Sequence, residues 1–161
     1  MSRATRATRM LNEAGVAFSV VSYDYDPRAE RIGVQAAEAL DEPPERVLRT
    51  LMALVDGKPV CVIAPSDREV SMKRLVAAFG GKSAQMMKPA DAERLSGYKV
   101  GGISPFGQTR RLPTVIEAQA MAQASVFING GQRGLQVRLN PHDAAALLKA
   151  IVAPLCRSDL E

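Results

Sequence analysis

The residues best suited to chemistry in this 161-residue chain are grouped in one glycine-rich loop, Lys99 to Gln108, reading KVGGISPFGQ. Glycines leave backbone N–H groups uncovered, and amides aimed at one point are what an anion site or an oxyanion hole requires. Gly101-Gly102 and Gly130-Gly131 each offer such a pair. The first is followed by the hydroxyl of Ser104, the rigid Pro105 and the adjacent cations Arg110 and Arg111, so it unites donors, a hydroxyl and positive charge. Neither GxxxxGK[ST] nor GxGxxG occurs, which removes the standard nucleotide loops. A plain tight turn is the other use of either glycine pair taken alone.

Two further places carry reactive side chains. Tyr23-Asp24-Tyr25-Asp26 sets two phenols and two carboxylates before Pro27. This is compatible with an Asx-type turn closed by Asp26 or with part of a site. Arg49 is a single cation inside the apolar run VLRTLMALV, where such a residue snorkels, pairs with an acid or faces a pocket. Being permanently protonated, it can anchor a phosphate or an oxyanion but is a poor proton shuttle. The single histidine, His142, follows Asn140-Pro141 at an expected helix start and reads as part of the cap. Cys61 and Cys156 stand far apart with no CxxC, so they form neither a zinc pattern nor a redox pair, and Cys61 sits in a core-like run.

Among the elements that hold these groups, Ala7, Met10, Leu11 and Ala14 predict a first helix closed by Gly15. Val16–Tyr23 predicts a strand, VQAAEALD a helix, and VLRTLMALV with PVCVIAPS a hairpin turning at Asp56-Gly57-Lys58. Ser71 caps a helix stopped at Gly80-Gly81, and Pro89 opens another that ends at Gly97. Val100–Pro113 is an irregular loop; strands follow at Thr114–Glu117, Ser125–Ile128 and Leu135–Leu139, and a final helix is expected over AAALLKAIV. The class is α/β (α+β), with one domain over 1–161.

The chain is long enough to bury a core without staples. No stretch approaches the ~20 apolar residues of a spanning helix, and no signal-like leader precedes the first helix, so a cytoplasmic protein that avoids membranes is expected. Lys99 to Arg138 holds five basic residues against Glu117 alone, which matches the whole net charge of +4. A phosphate-bearing partner and a solvated basic face both fit that excess. With three Tyr, four Phe and no Trp, a stacking platform for long single strands is disfavoured.

The order Tyr-Asp-x-Asp-Pro, a cation before Thr-Leu, GYKVGGISPFGQ, a basic pair, LPT and NGGQRGL resembles the YbaK/EbsC family of prolyl-tRNA editing domains, nearest its Cys-tRNA(Pro) deacylase branch, from about Met10 to Ala150. The resemblance implies a single sandwich-like domain with a twisted mixed or mostly antiparallel sheet and flanking helices. It also implies no cofactor or metal, and trans-editing of a small amino acid, Cys or Ala type, from mischarged tRNA(Pro). Its partners would be the aminoacyl-tRNA acceptor end and prolyl-tRNA synthetase. On these terms Gly101, Gly102 and Arg49 would be catalytic, and Tyr23, Ser104, Pro105, Asn129, Gly130 and Gly131 would bind substrate. Lys99, Arg110, Arg111 and Arg133 would hold tRNA. Arg49 stands where the family has lysine, Tyr25 where it often has histidine, and Asn129 and Gln132 where the branch reads Ser and Lys. A catalytically impaired tRNA-binding or synthetase-associated module is the alternative on the same fold.

Overall fold

A reciprocal cap starts the chain's first element. The Thr5 hydroxyl accepts from Thr8 N–H and the Thr8 hydroxyl from Thr5 N–H, opening α1 (Arg6–Glu13), whose Ala7 and Leu11 are fully buried. The structure is a computed structural model and describes residues 4–28 and 32–158. In chain order it continues with β1 (Phe18–Ser22), α2 (Ile32–Leu40), β2 (Leu48–Val55), β3 (Lys58–Pro65), α3 (Met72–Phe79), β4 (Ala84–Met86) and α4 (Pro89–Ser96). After the long loop come β5 (Thr114–Glu117), β6 (Val126–Asn129), β7 (Leu135–Leu139), α5 (Pro141–Leu148) and β8 (Ile151–Ala153). Short 3-10 turns occupy Pro44–Arg46 and Ala118–Ala122.

The strands divide into two sheets, ordered β1-β7-β6 and β4-β2-β3-β5-β8. The first is antiparallel; the second is mixed, with β3–β5 and β5–β8 parallel. The β2–β3 hairpin runs in register from Leu48 opposite Pro65 to Val55 opposite Lys58. Its turn puts Asp56 and Gly57 at φ 50° and 78°, the left-handed pair that a two-residue hairpin demands. Alternation along β3 separates two cores. Ile63 packs with Leu11, Phe106, Ile116, Ile128 and Val137, while Val60 and Val62 pack with Leu75, Val115 and Leu155 beneath α3.

The elements agree with the α/β (α+β) expectation except at the C-terminus and in the sheet count. The last helix stops at Leu148, where Lys149 turns left-handed at φ 52°. Ile151 and Val152, expected to end the helix, instead form with Ala153 a strand added to β5. Two β-branched residues beside an open strand edge gain more from pairing than from another helical turn. The single sheet expected is two, joined by a parallel bridge between Val47 and Phe127.

That junction positions the site. On its outer side β2 pairs with β4 at Ala53–Val55, and Val47, just before β2, bridges Phe127 of β6. Between those points the described residues give its edge no partner strand, and Val100, Gly101, Ile103 and Asn129 stand beside the gap.

Candidate active site

Beside the unpartnered stretch of β2 lies a cavity of about 270 Å³. The Val100–Ile103 loop, Asn129, Gln136 and the Tyr23–Tyr25 segment close it on one side; Met86, Met87 and α4 close it on the other. Part of its polar lining is unsatisfied. Arg49 Nε, Thr50 Oγ1, Ser66 Oγ and Gln136 Oε1 are buried without a hydrogen-bond partner, and all four residues line this cavity. Among the described residues just one other buried side-chain polar atom, Arg46 Nε, shares that condition. Each such atom costs about 1–3 kcal/mol when left unpaired, so their convergence on one hollow marks a place made to receive polar groups of a ligand.

Among the described residues Arg49 pairs with no acid. Its Nη2 donates to the Arg68 carbonyl at 2.7 Å, leaving Nε free along the cavity wall. Of the three outcomes open to a cation in this strand, the pocket-facing one is realised. Thr50, one position on, reaches the same cavity.

The loop that carries Gly101 is pinned from several sides. Val100 N–H donates to Glu93 Oε2 at 2.9 Å, and the Val100 carbonyl accepts from Arg133 Nε at 2.8 Å. Asn129 spends its whole hydrogen-bonding capacity on backbone. Its Nδ2 donates to the Gly101 and Gln132 carbonyls, and its Oδ1 accepts from Gly131 and Gln132 N–H. Asn129 lines the cavity yet has no donor or acceptor left for substrate, so it positions the two loops rather than binding through its amide. Gly102 differs from expectation as well: its N–H donates to the Lys99 carbonyl at 2.7 Å and is not available to an ester. The Gly101 N–H makes no hydrogen bond to a described residue, and the Gly101 backbone, at φ 90°, borders the cavity.

Ser104 and Pro105 are not in the cavity. Ser104 is fully buried, its Oγ accepting from Phe106 N–H at 3.2 Å and its carbonyl accepting from Gln108 Nε2 at 2.9 Å. Pro105 faces a separate small hollow with Met10 and Leu148. Both brace the loop from behind. Gly130 and Gly131 also serve structure: Gly130 N–H donates to the Leu135 carbonyl and Gly131 N–H to Asn129, while the Gly130 carbonyl accepts from the Thr5 hydroxyl and ties α1 to the loop.

On the outer side of these loops Lys99, Gly102, Gly131 and Arg133 line a second hollow of about 300 Å³ with no carboxylate in its wall. Arg111 is drawn elsewhere, donating to the Leu147 carbonyl at 3.2 Å; Arg110 is exposed. Of the four expected tRNA-binding cations, the fold thus gathers Lys99 and Arg133 next to the cavity.

The described side chains offer few nucleophiles. Burial pushes the Cys61 and Cys156 thiols up to about 12, far from the reactive range. His142 is exposed at the start of α5, where its N–H donates to the Asn140 cap. Burial, with Tyr25 beside it, raises the Tyr23 phenol above its ordinary value, so it is a proton-bearing donor at neutral pH. Asp26 Oδ1 accepts from Arg28 N–H at 2.9 Å, the Asx turn that was one of the two readings of that cluster.

Residues 26–147 match the family model for the aminoacyl-tRNA editing domain. The chain belongs to that family. EbsC of Enterococcus faecalis, whose name assigns it to Cys-tRNA(Pro)/Cys-tRNA(Cys) deacylation, is 28% identical to the editing domain over 145 residues, covering 89% of this chain and 87% of that protein. The multifunctional Ser/Thr-tRNA deacylase ProXp-y of Escherichia coli K12 is 23% identical, covering 70% and 67%. The proline–tRNA ligase of Anaeromyxobacter sp. is 27% identical, covering 84% of the editing domain but 27% of the ligase. A crystal structure described as a trans-editing enzyme for prolyl-tRNA synthetase superposes with a TM-score of 0.84 at 21% identity, over 98% of this chain and 99% of that one.

Thr50, Ser66 and Gln136 are polar cavity residues that the sequence does not single out as binding substrate. A signal exists for one of them: Gln136 interrupts the apolar strand LQVRL, and at 4% exposure a glutamine needs a reason to be there.

Proposed function

We propose that the protein is a trans-acting aminoacyl-tRNA deacylase, with the ester between a small non-cognate amino acid and the terminal adenosine seated in the cavity beside β2. The observation that carries this is the cluster of four unpaired buried polar atoms facing a cavity with a free Gly101 amide at its edge, in a chain of the editing family. Gly101 N–H polarises the ester carbonyl, an interaction worth ~10²- to 10³-fold in rate for a well-placed donor. Arg49, always charged, stabilises negative charge of the substrate or of the developing oxyanion and takes no part in proton transfer. Tyr23 supplies a neutral hydroxyl at the wall.

No described side chain is suited to attack the ester, so the nucleophile comes from water or from the substrate. A cysteinyl thiol attacking its own ester would close a thiolactone and expel the ribose oxygen. Lys99 and Arg133, flanking the outer hollow, receive phosphates of the acceptor end, with Arg110 and Arg111 farther along the same RNA. The relatives' names favour tRNA(Pro) and a partnership with prolyl-tRNA synthetase.

The test is release of amino acid from Cys-, Ala-, Ser- and Thr-charged tRNAs, with Pro-tRNA(Pro) as the cognate control. We expect turnover of at least one small non-cognate ester and sparing of the prolyl ester. Release no faster than the uncatalysed rate from every member would leave only the second reading, a tRNA-binding module silenced by Arg49 at the lysine position.

A further inference from the structure

An oxyanion site built on Gly101-Gly102 loses one of its two donors to the Gly102–Lys99 hydrogen bond. A replacement stands against the donor that is left. A Cβ built on Gly101 would lie 2.6 Å from Tyr25 Oη and 3.0 Å from Tyr25 Cζ, so the phenol rests directly over the Gly101 α-carbon. Tyr25 lines the cavity, and its hydroxyl has no hydrogen bond to any described residue. The ring is not adrift. The Arg133 guanidinium packs over it at 5.3 Å from the centroid, and the same guanidinium holds the Val100 carbonyl at 2.8 Å. One side chain therefore fixes the phenol and the Val100–Gly101 peptide relative to each other.

We propose that Tyr25 Oη is the second oxyanion donor, sharing the ester carbonyl oxygen with Gly101 N–H. The assignment rests on the deacylase reading above. As the nucleophile bonds to the carbonyl carbon, the C=O π pair moves onto oxygen, where the phenol and the amide hold it. The pair returns as the ester C–O bond breaks, and the proton given up by the nucleophile ends on the departing ribose oxygen. Tyr25 keeps its own proton throughout. Gly101 is required here twice over: its left-handed φ favours glycine, and any side chain would strike the phenol.

Tyr25→Phe keeps the ring against Gly101 and under Arg133 and removes only the donor. On the best substrate of the panel we expect kcat to fall ~10²-fold, with KM, tRNA binding and Tm within error of the parent. Tyr25→His, which restores a ring donor, should recover at least tenfold of that loss. A Tyr25→Phe enzyme within threefold of parental kcat overturns the assignment. So does equal loss in both variants, which would make the phenol a packing element; this comparison also serves if Tyr25→Phe alters stability. Inactivity of the unsubstituted protein on the whole panel would overturn the deacylase reading and this one with it, whereas an active parent with an unaffected Tyr25→Phe sinks only the latter.

Discussion

Thr50, Ser66 and Gln136 each keep a buried polar atom without a partner. That arrangement opposes folding, and its reversal is measurable. Thr50→Val removes the orphaned hydroxyl at nearly constant shape, so it should stabilise the protein by about 1 kcal/mol, raising Tm by ~2–4 °C in a chain of this size. Deacylation should decline in the same variant. Thermal denaturation beside single-turnover kinetics gives both numbers, and a lower Tm would mean that the hydroxyl is satisfied within the protein. The candidate site was legible in the sequence where glycine exposes backbone, hence Gly101. It was not legible where local conformation decides whether an amide is free, hence Gly102, whose N–H folds back onto a carbonyl three residues earlier. Asn129 was visible as a departure in the loop, but the saturation of its amide by four backbone groups depends on the two loops meeting.

At the scale of elements, the cavity depends on how closely two loops are held. A Cβ on Gly102 would stand 2.8 Å from Arg133 N and 3.0 Å from Gln132 C, both backbone atoms that cannot step aside singly. Gly102→Ala should therefore push the 99–103 and 129–133 loops apart. We expect kcat/KM to fall more than tenfold while far-ultraviolet circular dichroism stays native; full activity would show that the loops tolerate the separation. Glu117 secures the C-terminal segment. Burial pushes its pKa up, but the N–H groups of Gln119, Leu155 and Cys156, at 2.9, 2.9 and 3.0 Å, outweigh that and hold it below the ordinary value of 4.5. A pKa lower in the folded state gives stability that is complete above about 4.5 and is lost as pH falls through the folded value. Glu117→Gln should be less stable than the parent at pH 7, and the gap should close on acidification below that point. A gap independent of pH would contradict the linkage. The strands and helices themselves were mostly legible from alternation, caps and glycine stops. Ile151–Ala153 was not, because AAALLKAIV is continuous helix former and only the open edge of β5, contributed from far along the chain, turns its end into a strand.

For the whole molecule, on the deacylase proposal, the charge placed between Lys99 and Arg138 governs its binding to RNA. Binding of an uncharged tRNA should weaken steeply with salt, log Kd rising linearly with log salt concentration. Lys99→Ala and Arg133→Ala should each lower that slope by about one, whereas Arg111→Ala, its guanidinium turned to the Leu147 carbonyl, should change it less. Equal effects at all three positions would place the RNA across a broader face than the outer hollow. A flat salt profile would point to a ligand that is not a nucleic acid.

The gap along β2 has one more consequence. Most of a sheet's residues are constrained twice, by the ladder that pairs their backbone and by the core that receives their side chains. Thr50, opposite Ile63, and Met86, opposite Ala53, keep their ladder pairing but turn toward a hollow that no core fills, so their side chains can be exchanged while the backbone pairing stands. If the ester is seated in this cavity as proposed, retuning which amino acid is accepted costs the fold little, and substitutions at Thr50 and Met86 are where a change of specificity should first be sought.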